Sequence, residues 1–338
     1  MIDFQYTRAS DVADAIRQIS ADPAAKFIAG GTNLIDLMKE DVERPARLID
    51  ISRLPLRSVE ATPDGGLRIG ALVANSDLAY HPLIAQRYPL LGSAILAGAS
   101  AQLRNMASTG GNLLQRTRCC YFYDVATPCN KRQPGSGCSA IAGLNRMHAI
   151  LGASEACIAT HPSDMCVALA ALDATVHVAG SAGTRAMAFA DFHRLPENTP
   201  QRDTNLQPDE IITAVELPAR GFAANYSYLK IRDRLSYAFA LVSVAAGLEL
   251  EGDTIKQARL ALGGVAHRPW RDPTVEAALR GQTADRATFA RAADVMLRDA
   301  KAFEHNAFKV DLARRAIVRT LTQAAAGTPQ SQSNKKIA

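Results

Sequence analysis

Residues 26–39 read KFIAGGTNLIDLMK. A short apolar strand runs into a Gly-Gly bend, and a helix starts directly behind it. Glycine tolerates positive φ and lets the backbone approach a ligand closely. Successive N–H groups in such a bend form an anion-binding concavity. Residues 108–115, STGGNLLQ, show the same grouping of two glycines with Thr and Asn. Each pair taken singly reads as an ordinary tight turn. Two matched pairs in one region suit a pyrophosphate gripped from both sides, with Thr and Asn as extra donors. Neither pair has the G-x-G-x-x-G spacing, so a doubly wound dinucleotide fold has little support.

Working outward, DVADAIRQIS (11–20) carries apolar residues at helical spacing, with Ser10 as the expected N-cap. Residues 46–52 and 66–72 read as strands, 76–99 as two short helices. Residues 161–180 read as a helix capped by Ser163 and running into a strand, and 209–219 as a further strand. Residues 226–270 predict two or three long strands in a meander, and 273–326 are helical in pattern. Strands before helices in the C-terminal part argue for α+β with segregated layers. A boundary is expected near Arg220–Tyr226. The tail 327–338 is polar and is expected to be disordered.

The chain has 338 residues, enough for two or three domains with cores of their own. A net charge of +5 with acids and bases interspersed gives no footprint for nucleic acid. The start MIDFQYTRAS is no export signal, and no run of about 18 apolar residues predicts a membrane span. Export in folded form with a signalled partner stays compatible with this.

Two further groups invite a ligand reading. Asp164 in HPSDM reads first as a first-turn helix acid. Lys230, Arg232, Asp233 and Arg234 crowd the end of one strand, as a solvated turn or a ligand edge. The seven histidines show no metal-like spacing; His161 and His267 read as structural. Four of six cysteines lie in CCYFYDVATPCNKRQPGSGC, residues 119–138. Their spacings are longer than the C-x₂₋₄-C pairs usual for zinc. A disulfide framework suits an oxidising compartment, although a domain of this size needs no staple. Four separated thiolates suit an iron–sulfur cubane. Spacing alone leaves all three open. Cys166, flanked by apolar residues, reads as a small buried hydrophobe.

Together, KFIAGGTNLIDLMK, STGGNLLQ, THPSDMCVALAALDA, ELPA, LKIRDRLSYAFALVSVAAGLEL and LALGGVAHRPWR keep the order of a known family. Over residues 1 to about 325 the chain resembles the FAD-binding subunit of the xanthine dehydrogenase/aldehyde oxidoreductase molybdenum hydroxylases. The insert RTRCCYFYD…PCNKRQPGSGC narrows the resemblance to the medium subunit of periplasmic aldehyde oxidoreductases. More distantly, it resembles the flavoprotein subunit of 4-hydroxybenzoyl-CoA reductase.

The resemblance implies an α+β fold. A vanillyl-alcohol-oxidase-type (PCMH) FAD domain would span 1–220, with subdomains of about 1–55 and 56–220 and an insert of about 116–158. A C-terminal α+β domain of the CO dehydrogenase flavoprotein type would span 221–326. It implies FAD held by Lys26, Phe27, Ile28, Ala29, Gly30, Gly31, Thr32, Asn33 and Leu34 on one side and by Ser108, Thr109, Gly110, Gly111 and Asn112 on the other. Asp164, Ile212 and Lys230 would lie near the cofactor, and Tyr237–Phe239 near its ring system. It implies a [4Fe–4S] cluster on Cys119, Cys129, Cys138 and Cys157, with Cys120 at a variable position. Arg116, Arg118, Lys131 and Arg132 would offset the cluster's charge or face water or a partner.

The implied partners are a small subunit with two [2Fe–2S] centres, a large molybdopterin subunit and an external electron acceptor. The implied role is electron transfer in aldehyde oxidation, in the periplasm or else in the cytoplasm. No acid–base side chain of this chain is expected to touch the aldehyde. The alternatives are a stand-alone flavin oxidoreductase, the FAD subunit of a xanthine dehydrogenase-like complex, and a non-enzymatic assembly subunit.

Overall fold

A computed structural model describes residues 1–332. The first subdomain comprises β1 (Gln5–Arg8), α1 (Val12–Ala21), β2 (Lys26–Ile28), α2 (Leu34–Lys39) and β3 (Arg47–Asp50). Its three strands form a parallel sheet in the order β1-β3-β2. Ala15 and Ile19 of α1 are buried with Ile49 of β3 in one small core. The N-cap is Asp11, whose side chain accepts the Asp14 N–H at 2.7 Å; Ser10 instead donates its N–H to Asp14. A carboxylate one residue nearer the first turn reaches the orphan N–H groups better than the expected serine.

The second subdomain adds β4 (Val59–Ala61), β5 (Leu67–Gly70) and α3 (Asn75–Ala79). Next come α4 (Pro82–Arg87), α5 (Pro89–Ala97), α6 (Ala101–Met106), α7 (Thr109–Leu113), α8 (Cys120–Tyr123) and α9 (Asp164–Ala171). It closes with β6 (Thr175–Gly180), β7 (Gly183–Ala188) and β8 (Ile211–Leu217). Its sheet runs β4-β5-β8-β6-β7, all antiparallel. Residues 76–99 hold three helices where two were expected, because Pro82 and Pro89 each restart the helix at its first turn.

The C-terminal domain is β9 (Tyr226–Ile231), β10 (Val242–Glu251), β11 (Thr254–Gly263), β12 (Trp270–Arg271), α10 (Pro273–Leu279), α11 (Arg286–Met296) and α12 (Phe308–Ala325). The strands form an antiparallel meander in the order β12-β11-β10-β9. Residues 242–248 of β10 are buried without alternation. That is the mark of a strand covered on both faces. On one side Val244, Leu260 and Leu262 meet Phe289, Ile317 and Leu321 in one core. On the other, Tyr228, Ala245 and Ala261 join Cys166 and Val167 of α9. Every residue of α9 is buried, so this helix is the common filling of both domains.

Residues 116–158 are irregular apart from α8 and are seated on the C-terminal domain. Ile150 and Leu151 donate to the Val265 carbonyl, and Asn145 accepts from the His305 N–H. Lys309, fully buried, donates to the carbonyls of His148 at 2.8 Å and Gly264 at 2.6 Å. Part of the polar tail is also tied down: Gln332 donates to the Tyr228 carbonyl at 3.0 Å. The rest of the expected disordered stretch, residues 333–338, lies outside the described residues.

Gly221 lies in the link between β8 and β9. A Cβ there would fall 1.7 Å from the Arg87 carbonyl oxygen. Gly221→Ala is therefore expected to cost about 1–3 kcal/mol of backbone adjustment, read as a lowered thermal unfolding midpoint; an unchanged midpoint would contradict the close packing of this link.

Candidate functional site

The two glycine segments meet at the top of the first subdomain. An added Cβ at Gly30 would stand 1.7 Å from the Met106 carbonyl oxygen, so the first segment rests on the end of α6. The Asn33 Oδ1 accepts the Arg116 N–H at 2.9 Å, closing the contact beyond the second segment. Gly31 has φ +71°, a conformation that costs glycine nothing. The N–H groups of Gly30, Gly31 and Thr32 find no acceptor among the described residues. Residues 27–34 are half-buried, and successive N–H groups without protein acceptors are the kind of donor an anion can take.

The second segment is built differently from the expected matching turn. Ser108 caps α7, and Thr109–Leu113, both glycines included, are helical. Its N–H groups are already spent: Thr109 on Val73 O, Gly110 on Ala71 O, Gly111 on Ser108 Oγ, Asn112 on Ser108 O. The Thr109 hydroxyl donates to Val73 O, and the Asn112 side chain bonds Asn75, Gln115 and Ser163. Small side chains, rather than free donors, are what this segment offers. A Cβ on Gly110 would press on Ala71 at 3.1 Å and lie 3.5 Å from Ile212 Cβ. Ile212, buried on β8, thus backs the segment.

Asp164 and Lys230, distant in sequence, form a buried ion pair at 2.8 Å. Asp164 also accepts from the Tyr228 hydroxyl at 2.7 Å, and Lys230 donates to the Ala97 carbonyl at 3.2 Å. Burial, then the Asp164 charge, pushes the Tyr228 phenol well above its ordinary range. Of the charged group expected as a turn or ligand edge, Arg232 donates to Ala97 O and Asp233 pairs with Arg146. Asn33 is thus tied to Arg116, Asn112 to Ser163 and Asp164 to Lys230.

A cleft runs from Asp164 past Phe239 and His148 to Cys119. Phe239 lies under the Arg118 guanidinium, 5.1 Å from ring centre to Cζ. Behind Cys119 a second, smaller cavity opens, and Cys119, Cys129, Cys138 and Cys157 all line it. Cys129 and Cys138 face each other as a backbone bridge pair. The Ala159 N–H points at the Cys157 sulfur at 3.4 Å. Burial pushes the Cys119 thiol up to about 12, with Cys120 and Cys129 adding to it. Burial likewise raises Cys157 to about 11, while Lys131 pulls it down. Thiols so placed are poor nucleophiles, and a bound cation reverses that balance by taking the thiolate form. Cys120 is exposed and outside the cavity. All six cysteines are unbridged.

The basic residues around this cavity are committed within the chain. Lys131 Nζ, fully buried, bonds Asp203 at 2.5 Å, Pro200 O and the His267 ring. Arg116 joins Asp203 to Glu43, Arg118 pairs with Asp36, and Arg132 donates to the carbonyls of Tyr121 and Phe122. Although burial opposes it, Lys131 and Arg116 hold the Asp203 carboxyl well below the usual carboxylate range.

Two of the histidines meet in the fold although they are 32 residues apart in sequence. His161, Cys166 and His193 converge, with ligand atoms within 4.8 Å of one another and all three buried. Sequence spacing hid this because α9 and the segment after β7 meet only in the fold. The two rings pack at 4.4 Å between centres. His193 donates to the Leu113 carbonyl and His161 accepts the Ser163 N–H, which brace the second glycine segment. Burial drives both imidazoles to the neutral form and raises the Cys166 thiol to about 12.

The parallel subdomain with its glycine bend, the antiparallel subdomain and the C-terminal meander packed about α9 define an α+β protein of two domains. Residues 2–220 match the family "FAD binding domain in molybdopterin dehydrogenase", and residues 226–324 match "CO dehydrogenase flavoprotein C-terminal domain". The chain belongs to this family of molybdopterin dehydrogenase FAD-binding subunits. It is 51% identical to the aldehyde oxidoreductase FAD-binding subunit PaoB of Escherichia coli (strain K12), over 96% of this chain and 98% of that one. It is 29% identical to the glyceraldehyde dehydrogenase medium chain of Sulfolobus acidocaldarius, over 81% and 80% of the two chains. In fold it matches carbon monoxide dehydrogenase of Hydrogenophaga pseudoflava with a TM-score of 0.76 at 24% identity, over 97% and 99% of the chains.

Removing one partner of the Asp164–Lys230 pair strands a buried charge. Asp164→Ala is expected to cost about 3–5 kcal/mol in urea unfolding. Asp164→Asn combined with Lys230→Met should recover much of it; equal losses for both variants would show that the pair's charge is not what matters.

Proposed function

We propose that this chain is the electron-transfer flavoprotein subunit of a molybdenum hydroxylase that oxidises aldehydes to carboxylic acids. Its partners are a large molybdopterin subunit and a small subunit with two [2Fe–2S] centres. The observation that carries this reading is the 51% identity to an aldehyde oxidoreductase FAD-binding subunit along nearly the whole of both chains. The names of other relatives, a medium chain and further FAD-binding subunits, fit a multi-subunit assembly. Among the described residues no helix is long and apolar enough to cross a membrane. The proposed compartment is the periplasm, entered with a signal-bearing partner; support comes from the insert's resemblance to periplasmic members.

In this reading the acceptor-free N–H groups of Gly30–Thr32 hold the FAD pyrophosphate, with Ser108–Asn112 on its other side; support comes from the lack of any protein acceptor for those three donors among the described residues. FAD supplies exchange between one- and two-electron carriers, and the protein supplies orientation and electrostatics. Ile212 and the Asp164–Lys230 pair support the wall beside it. The cysteine cavity fits a [4Fe–4S] cluster in the same sense. Four thiols line it, an N–H group already faces one sulfur, and Phe122, Ala140 and Ala159 add apolar lining. Zinc is less well served, because among the described residues no three of these sulfurs lie within 4.8 Å of one another, and disulfides are less well served because all four cysteines are unbridged.

No side chain here is assigned acid–base work on the aldehyde, which belongs to the molybdenum subunit in this reading. The electrons leave to an external acceptor.

The test is anaerobic purification of the co-expressed complex with flavin, iron and molybdenum counted per chain. One FAD and about four iron atoms beyond those of the small subunit are expected on this chain. Cys129→Ser or Cys138→Ser should remove that iron and leave the flavin, whereas Cys120→Ser and Cys166→Ser should change neither. A chain with flavin and no iron of its own would remove the cluster from the proposal; one without flavin would remove the whole.

A further inference from the structure

His148 is the side chain that joins the two cavities. Its Nε2 lies 3.1 Å from the Cys119 sulfur. Cys119 lines both the cleft and the cysteine cavity, and His148 lines the cleft beside it. The imidazole is 4% exposed, and its Nδ1 has no partner among the described residues. Among those residues the sulfur contact is therefore the ring's one hydrogen bond. Facing a thiolate, which only accepts, Nε2 must carry the proton and donate.

The ring is held for this from the far side of the chain. The His148 carbonyl accepts from Lys309 Nζ at 2.8 Å and from Asn306 Nδ2 at 3.3 Å, and both side chains are fully buried. The His148 N–H donates to Asn145 O, and Asn145 in turn accepts the His305 N–H. The C-terminal domain thus fixes the backbone from which the imidazole reaches the sulfur.

We infer that His148 is a positioning residue that raises the reduction potential of a cluster bound through Cys119, by an N–H···S hydrogen bond held in place by Lys309 and Asn306. The inference rests on the [4Fe–4S] reading above. One-electron reduction adds negative charge to the cluster and its thiolates. A donor aimed at one sulfur stabilises that reduced form more than the oxidised one, so hydrogen bonding to sulfur is one of the protein's levers on potential. No proton need move: the hydrogen bond persists in both states and is stronger in the reduced one.

The test is an EPR-monitored potentiometric titration of the anaerobically purified complex, as wild type, His148→Leu and His148→Gln, with iron counted in each. At the wild-type midpoint, H148L is expected to show a reduced-to-oxidised ratio about tenfold lower, equivalent to a shift of about 59 mV for one electron. H148Q, which keeps an N–H donor, should recover most of it. An H148L protein with full iron and the wild-type midpoint overturns the inference. Pulsed EPR on wild-type complex labelled with ¹⁵N-histidine gives a second reading that needs no variant. A coupling to an imidazole nitrogen at the reduced cluster is expected, and its absence overturns the inference even if H148L loses iron. A wild-type chain with no iron of its own overturns the cluster reading instead, and the iron count separates the two failures.

Discussion

The contact between Gly30 and the Met106 carbonyl is the constraint on which the rest of this structure hangs. Any Cβ at position 30 would occupy the space of that oxygen. Because glycine has none, the loop after β2 can lie directly on the end of α6. That seats the bend and its three unpaired N–H groups opposite α7. The Asn33–Arg116 hydrogen bond then carries the alignment into the cysteine insert. Binding wall and insert are in this way positioned by one close backbone approach.

Buried charge does the remaining joining. Lys131, Asp203, Arg116 and Glu43 form a continuous series from the insert to the first subdomain. Asp164 and Lys230 link α9 to β9, and Lys309 links α12 to the insert. Taking such groups out of water is costly, and that cost is offset only where every partner is in place. These networks therefore specify one arrangement of the pieces more than they add to stability. Because they converge around the cleft and the cysteine cavity, an error in docking either domain would leave charges unpaired at the site itself.

The two cavities share Cys119, with His148 beside it. In the proposed reading this places a sulfur ligand in the wall of the flavin-side cleft, so the two cofactors would be separated by protein that is already ordered. The histidine pair behind α7 serves a different purpose. It braces Leu113 and Ser163, the end of one binding segment and the start of α9.

Much of this was legible in one dimension. Strand, bend and helix at 26–39, the capped helix at 164–171 and the C-terminal meander follow from periodicity and from glycine and capping chemistry, which act over a few residues. Local patterns misjudged STGGN: two glycines next to Thr and Asn look alike whether they turn or coil, and the cap from Ser108 together with acceptors on Ala71 and Val73 decides for helix. The grouping of the four cysteines was visible as a cluster, but their common cavity depends on Cys157 returning beside Cys129, which no spacing encodes. The pairing of Asp164 with Lys230, the place of His148 against Cys119 and the convergence of His161 with His193 belong to the tertiary structure alone. Sequence determines what each segment is able to form, since caps, bends and apolar periods are short-range. Which charged and sulfur-bearing side chains meet is decided by packing across the α9 core, because those contacts join residues that only the completed fold brings within reach.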